Sequence, residues 1–294
     1  MLSLLGSSAA GLDIQFDFTY DTGSFFTGHA DRISLLNSAA AVFETRLTDT
    51  LTAITPGGSN SWTATFLNPT TNATVNVSNL SISTGVVVVY VGARQLGTST
   101  LGIGGPGGWS ANGSPGWLNT LEGRGQAGAL QTTPTDFGPW GGALTFDVDA
   151  AWYFGAGGLS GKDDFLSVAT HELGHLLGFG TAGSWNAKVS GTTFTGNFSK
   201  AANGGIQAGL SGDLGHWADG TMSTVFGTST VQEAAMNPTV TVGTQKFFTA
   251  LDFAGLQDVG WTVVPEPNTS ALALAASAFL GGAFRRHKTR RGDA

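Results

Sequence analysis

Two histidines four residues apart, with a glutamate beside the first, constrain this 294-residue chain more than any other feature. The stretch is His171-Glu172-Leu173-Gly174-His175. Residues four apart stand one above the other only on a helix, so both imidazoles reach one metal ion while Glu172 faces the same cleft. The flanking residues supply that helix. Asp163 or Asp164 caps its start, and Phe165, Leu166, Ala169, Leu173, Leu176 and Leu177 share one apolar arc. Gly178 and Gly180 follow as stops. The fold must therefore pack one side of a helix and leave its polar edge against a cleft.

The donors for such an ion are restricted. There is no cysteine, so there is no disulfide framework and no thiolate ligand, and only His, Asp and Glu remain. Zinc takes about four ligands, and a catalytic site keeps one position for water. A third protein ligand must come from outside the helix. His29 precedes the first helical segment and His287 lies in a basic tail, which leaves His216 in Gly-Asp-Leu-Gly-His-Trp-Ala-Asp-Gly as the well-placed histidine. Glu233 is its main competitor, and Asp213 and Asp219 are weaker rivals.

Around this helix the pattern alternates between strand and helix. Apolar residues at three- and four-residue steps from His29 to Leu51 predict a core-packing helix. Ser61 to Leu67, Thr71 to Ile82 and Gly85 to Val91 read as strands, the valine run as a central one covered on both faces. Gly97 to Trp117 has no periodicity and reads as a long surface loop, and Gly142 to Phe154 as a further strand. Asp147 and Asp149 offer a structural calcium site together with loop carbonyls.

The run His-Glu-Leu-Gly-His-Leu-Leu-Gly-Phe-Gly resembles the metzincin metallopeptidases, in which the glycine three residues after the second histidine turns the chain toward the third ligand. That glycine is Gly178. The usual third histidine, three residues further on, is replaced by Thr181. The chain is similar instead to the leishmanolysin-like branch, where an insertion separates the glycine from the third histidine, here His216, and a methionine turn follows. Met236-Asn237-Pro238 fits that turn, with Met222 as a rival, and Phe247 to Trp261 fits the closing helix. The resemblance implies an α+β fold: a twisted mixed sheet with two long helices over a cleft, and an irregular C-terminal subdomain. Its upper part would span about residues 11–180 and its lower part about 181–263. It also implies one catalytic zinc, peptide-bond hydrolysis with Glu172 as general base, and a strand near Gly142 to Val148 bordering the cleft and pairing with an extended peptide.

The two ends carry sorting features. Residues 1–10, Met-Leu-Ser-Leu-Leu-Gly-Ser-Ser-Ala-Ala, read as the remnant of a secretory signal. Val264-Pro265-Glu266-Pro267, an apolar stretch from Ala271 to Phe284 and a basic end from Arg285 to Arg291 together resemble the PEP-CTERM sorting signal of Gram-negative bacteria. That resemblance implies exosortase-type machinery, transient membrane insertion of the 264–294 segment, and export to the cell surface or extracellular matrix. Five of the 13 basic residues sit in the last ten positions, so the chain through Val263 carries 8 basic against 18 acidic residues, a net −10. So acidic a body repels polyphosphate and argues against nucleic acid as a partner. A different class of protein, a catalytically silent surface or matrix protein on the same fold, shares the Gly, Ser and Thr richness. Binding zinc does not require Glu172, so the presence of that carboxylate favours the enzyme.

Overall fold

The computed structural model describes residues 11–97 and 99–264. The proposed leader at 1–10 and all but the first residue of the proposed sorting signal at 264–294 lie outside the described residues. Among the described residues no helix is long and apolar enough to cross a membrane.

A four-stranded mixed sheet forms the frame. Its strands are β1 (Asp13–Asp17), β4 (Val86–Arg94), β7 (Gly141–Asp147) and β5 (Gly102–Pro106), in the order β1-β4-β7-β5. β1, β4 and β7 run parallel, while β5 closes one edge antiparallel to β7. A second, antiparallel sheet of β2 (Ser61–Leu67), β3 (Thr74–Ser78) and β6 (Gly108–Asn112) is ordered β3-β2-β6. β4 shows why the first sheet has two covered faces. Val87, Val89, Val91 and Ala93 join one core cluster, while Val86 and Tyr90 join another with Trp62, Phe66, Trp117 and Trp140. Alternate side chains leave a strand on opposite faces, so each face needs its own cover.

The first core cluster lies between this sheet and the helices. α1 (Ala30–Glu44) buries Leu36, Ala39, Ala40 and Phe43, and packs against α3 (Phe165–Leu176). Between them in sequence, α2 (Pro115–Gly123) starts at a Ser114 cap with proline in its first turn. α2 ends at Arg124, whose fully buried guanidinium donates to the carbonyls of Thr52, Ser83, Val86 and Pro139 at 2.7–3.3 Å. It thereby ties the loops at one end of the sheet together.

After α3 the chain turns at Gly178 (φ 104°) and Gly180 (φ 74°), a backbone region that favours glycine. Residues 181–249 are mostly irregular, with short helices α4 (Gly183–Asn186) and α5 (Asn197–Ala202) and two small ribbons. α6 (Ala250–Val259) closes the body behind a capping box in which Thr249 and Asp252 satisfy each other's backbone N–H. The mixed α and β architecture with several sheets and six helices among the described residues is compatible with the metzincin-like plan.

Four expectations need correction. The first helix stops at Glu44, not Leu51, because Thr45, Thr48 and Thr50 hold a helix poorly and the backbone finds other partners. Leu47 bridges to Val263, and Leu51 accepts from Gly85 N, so both leucines stay fully buried on extended chain. The strand read over Thr71 to Ile82 is confined to Thr74–Ser78, between Asn72 and Asn79, which take left-handed φ of 61° and 53°. The strand read through Phe154 breaks after Asp147, with Trp152–Tyr153 pairing instead with Asp163–Asp164. The expected surface loop at Gly97 to Trp117 is the largest error: it holds β5, β6 and the start of α2. Backbone pairing with β7 and β2 makes those strands, and side chains such as Gly102-Ile103-Gly104-Gly105-Pro106 carry no alternation to reveal it.

Candidate metal centre

Asp164 caps α3, its carboxylate accepting from Ser167 N at 2.9 Å and Ser167 Oγ at 2.5 Å. The helix is buried on nearly every side. Leu173, Leu176 and Leu177 are in the core, while His171, Glu172 and His175 are only 6–8% exposed along a cleft of about 420 Å³. Met236 packs beneath the helix. A side chain at Gly174 would lie 2.8 Å from Met236 Sδ, so the glycine inside the motif makes room for the methionine. Met222, the rival for this position, is 55% exposed on a ribbon strand.

Beyond Gly180 the inserted segment returns to the cleft, and Leu214, at φ 62°, turns it so that His216 meets the helix. Gly180 lies so close to the Gly215 carbonyl that a Cβ would sit 2.2 Å from it. The three Nε2 atoms converge: His171 to His175 3.0 Å, His171 to His216 3.1 Å, His175 to His216 2.9 Å. Among the described residues this is the group of three metal-ligating side chains.

The far side of each ring fixes its proton. His171 Nδ1 lies 2.8 Å from the Ala235 carbonyl, His175 Nδ1 2.9 Å from the Phe179 carbonyl, and His216 Nδ1 2.7 Å from Asp213 Oδ2. A carbonyl only accepts, so Nδ1 carries the hydrogen in His171 and His175, and the carboxylate makes the same demand of His216. In neutral rings so oriented, each Nε2 presents a lone pair toward the other two. Three lone pairs at this spacing repel unless a cation sits among them, and zinc–imidazole distances of about 2.0–2.1 Å suit a triangle of this size. The donor set fits zinc.

Electrostatics agree with neutral ligands. Burial and then the neighbouring His175 and His216 hold His171 well below its ordinary range, and burial followed by His216 takes His175 to about 4. Burial alone would raise the Asp213 carboxyl, yet Ser211, the Gly215 N–H and His216 together outweigh it and bring it down to about 2. Asp213, a rival ligand on sequence grounds, is thus an anchor for His216. Burial pushes Glu172 up to about 8 despite a hydrogen bond from the Gly104 N–H.

Glu233 is engaged elsewhere. Its carboxylate pairs with Lys246 Nζ at 2.5 Å and accepts from Gly220 N at 3.0 Å. Asp219 accepts from Thr239 Oγ1. Thr181, where a short metzincin motif has its third histidine, donates to the His175 carbonyl at 2.7 Å and closes the end of α3. Asp147 takes backbone N–H groups from Leu96 and Asp149, and Asp149 accepts from Gln95, so both carboxylates order the loop before β5.

Two parts of the site escaped the sequence reading. The first is β5. The rim of the cleft is Leu101 to Gly104, not the β7 stretch from Gly142 to Val148, because β5 covers the edge of β7. Gly102 and Gly104 press on the helix so tightly that a Cβ would lie 2.7 Å from Glu172 Oε1 or 2.4 Å from Glu172 O. The second is Asp252. Fully buried, it accepts from Trp217 Nε1, Ala235 N, Met236 N, Thr249 N and Thr249 Oγ1. One carboxylate thereby positions the neighbour of His216, the residue that anchors His171, and the methionine under α3. Its sequence signal was the Thr249-x-x-Asp252 capping box.

Residues 112–188 match the matrixin family model. Matrixins are a metzincin family and zinc-dependent peptidases, and the matched stretch runs from the end of β6 through α3 to α4, including His171, Glu172 and His175. It stops short of His216 and leaves out β5. No curated protein and no solved structure matches the chain.

Proposed function

We propose that this protein is a zinc-dependent endopeptidase that uses His171, His175 and His216 as ligands and Glu172 as general base. The observation that carries the reading is the convergence of three Nδ1-protonated imidazoles to within 3.1 Å, with Glu172 beside them in the same cleft. Zinc supplies Lewis acidity there, polarising a carbonyl and lowering the pKa of water.

The chain's own groups account for the rest. The Glu172 carboxyl, oriented by the Gly104 N–H and favoured in its charged form by a cation held among the imidazoles, would take a proton from the attacking water and return it to the leaving amine. The outer edge of β5 pairs with no strand among the described residues, so an extended peptide adds to it through main-chain hydrogen bonds with the scissile bond over the imidazoles. An open cleft served by a strand edge takes internal stretches of polypeptide, which favours endoproteolysis. Met236, Gly178 and the insertion before His216 support a leishmanolysin-like arrangement within the metzincins. Export and surface sorting, with exosortase processing of the tail, rest on the sequence of the two ends.

The test is cleavage of an unfolded protein by residues 11–263, beside Glu172→Gln and a chelator-treated sample. Cleavage by the wild type alone, with internal fragments, supports the proposal. A zinc-loaded wild type as inert as the variant over a broad substrate set would instead favour a silent surface protein.

A further inference from the structure

A second cavity, of about 330 Å³, opens on the opposite face of β5 from Glu172. Its floor is the Gly105–Ala143 pair, and Ile103 and Pro106 flank it on the same strand. Phe66 and Leu67 of β2 form its roof, with Leu67 54% exposed at the mouth. A side chain at Gly105 would meet nothing within 4 Å, in contrast to the crowded Gly102 and Gly104.

Arg94, half-buried at the end of β4, is the cation that lines this cavity. Its Nη1 donates to Pro69 O at 3.2 Å and to Thr145 Oγ1 at 3.1 Å. A guanidinium has five N–H groups, and Nε and Nη2 have no hydrogen-bond partner among the described residues. Nor does any described carboxylate form an ion pair with it. A cation in a cavity lined by apolar, backbone and uncharged polar groups, Thr65, Asn72, Thr74 and Thr145 among them, with donors to spare and no carboxylate in direct ion pair, suits a carboxylate as partner.

The topology gives that carboxylate a source. Thr145, beside the guanidinium, is the register partner of Ile103 on β5. A peptide added to the outer edge of β5 lies one strand spacing further, about 4.8 Å. Its side chains alternate between the imidazole face and the face carrying this cavity. A long side chain on the second face lies across the bare Gly105–Ala143 floor toward Arg94. We infer that the cavity is a substrate subsite for an acidic side chain, glutamate above aspartate, with Arg94 as its specificity-determining residue. The inference rests on the endopeptidase reading and extends it to a substrate class.

The experiment walks one Glu/Gln exchange along a cleavable peptide and compares kcat/KM for wild type, Arg94→Gln and Leu67→Glu. At one position of the cavity-facing set the wild type should prefer Glu by about tenfold or more, a magnitude usual for one charge-assisted pair, through KM. Arg94→Gln should bring the ratio near one, the loss falling on the Glu peptide. Leu67→Glu, an exposed site that leaves the hydrogen bonds of Arg94 intact, should do the same by placing a competing carboxylate at the mouth. Calorimetric binding of the same peptide pair to Glu172→Gln protein gives a readout without turnover. A ratio near one in the wild type, or a Glu preference unchanged in both variants, overturns the subsite. Absence of all cleavage with the binding preference intact would sink the peptidase reading and leave the subsite standing.

Discussion

His216 has one ring nitrogen toward the metal position and the other on Asp213, and that pairing separates the competing ligand sets. Removing the ring takes away one of three donors, whereas removing the Glu233 carboxylate breaks a pair with Lys246, and neither residue lines the cleft. His216→Ala should therefore lose stoichiometric zinc on purification, and Glu233→Ala should keep it; metal analysis of the two proteins reads the result directly. Undiminished zinc in the His216 variant would discard the three-histidine site. A second residue-scale expectation concerns Tyr90, stacked on Phe66 with centroids 4.1 Å apart. Burial, followed by Asp17 and Tyr20, pushes its hydroxyl up to about 12. The folded state then holds a proton that the unfolded chain releases near pH 10, so stability falls as pH rises from about 10 to 12. Tyr90→Phe should flatten that part of the stability curve against pH without changing it near pH 7, as followed by urea midpoints. The motif His171, Glu172 and His175 was legible in the sequence because it needed only a helix to come together. His216 was reachable by exclusion. Asp213 was mistaken for a rival because spacing cannot distinguish a carboxylate that binds a metal from one that binds the ligand's other nitrogen.

The contact between β5 and α3 decides the shape of the cleft at the level of elements. Two glycines let a strand lie directly on α3: a Cβ at Gly104 would meet the Glu172 carbonyl, which cannot yield, and one at Gly102 the Glu172 side chain. Gly104→Ala should cost about 1–3 kcal/mol of stability, as overpacking does, and displace Glu172, lowering kcat/KM in the same variant. Gly105→Ala on the adjacent position meets open space and should leave the unfolding midpoint close to wild type. Equal losses in the two variants would mean that the strand is weakened generally and the close approach is not what matters. Similarly, Asp252 on α6 serves the site at a distance through Ala235, Met236 and Trp217. Asp252→Ala should weaken zinc binding by about 10–100-fold, the usual effect of losing a group that orients metal ligands. Competition with a chromophoric chelator measures it. The sequence displayed α3 and β4 well, since periodicity, a cap and a β-branched run are local signals, whereas the helix at α6 was expected from the metzincin resemblance alone. The sequence hid β5, whose side chains carry no alternation, and β6, whose brief Trp109/Ala111 alternation lies within a Gly-, Ser- and Pro-rich stretch; distant backbone supplies the pairing of both. It also overran α1, because Leu47 and Leu51 continue the apolar spacing of the helix although their chain is extended.

At the scale of the whole molecule, the metal position is a junction. His171 and His175 come from a helix packed against the main sheet, whereas His216 arrives on a segment that follows a mostly irregular insertion. That segment is held otherwise by Trp217 and its aromatic neighbours Phe179, Trp185 and Phe194, and by the Asp252 network. Occupation of the site by zinc would join the two parts through one ion, and the folded state alone presents the three donors together. Binding to the native state only adds stability of RT ln(1 + [L]/Kd), about 2.7 kcal/mol when free zinc is a hundredfold above Kd. In a body of roughly 250 residues each kcal/mol moves Tm by about 2–4 °C, so chelation should lower Tm by about 5–11 °C. The loss should be local before it is global. With the ion gone, three bare Nε2 lone pairs face one another, and the least costly relief is withdrawal of His216, the most exposed of the three rings. Limited proteolysis of chelated protein should accordingly cut first within residues 181–249, while the α1–α3 body and its sheet persist. Zinc added back should restore both Tm and resistance, and His216→Ala should resemble the chelated wild type in both respects without responding to zinc. Cuts appearing first within the sheet, or an identical Tm with and without metal, would show that the ion contributes nothing to joining the two parts.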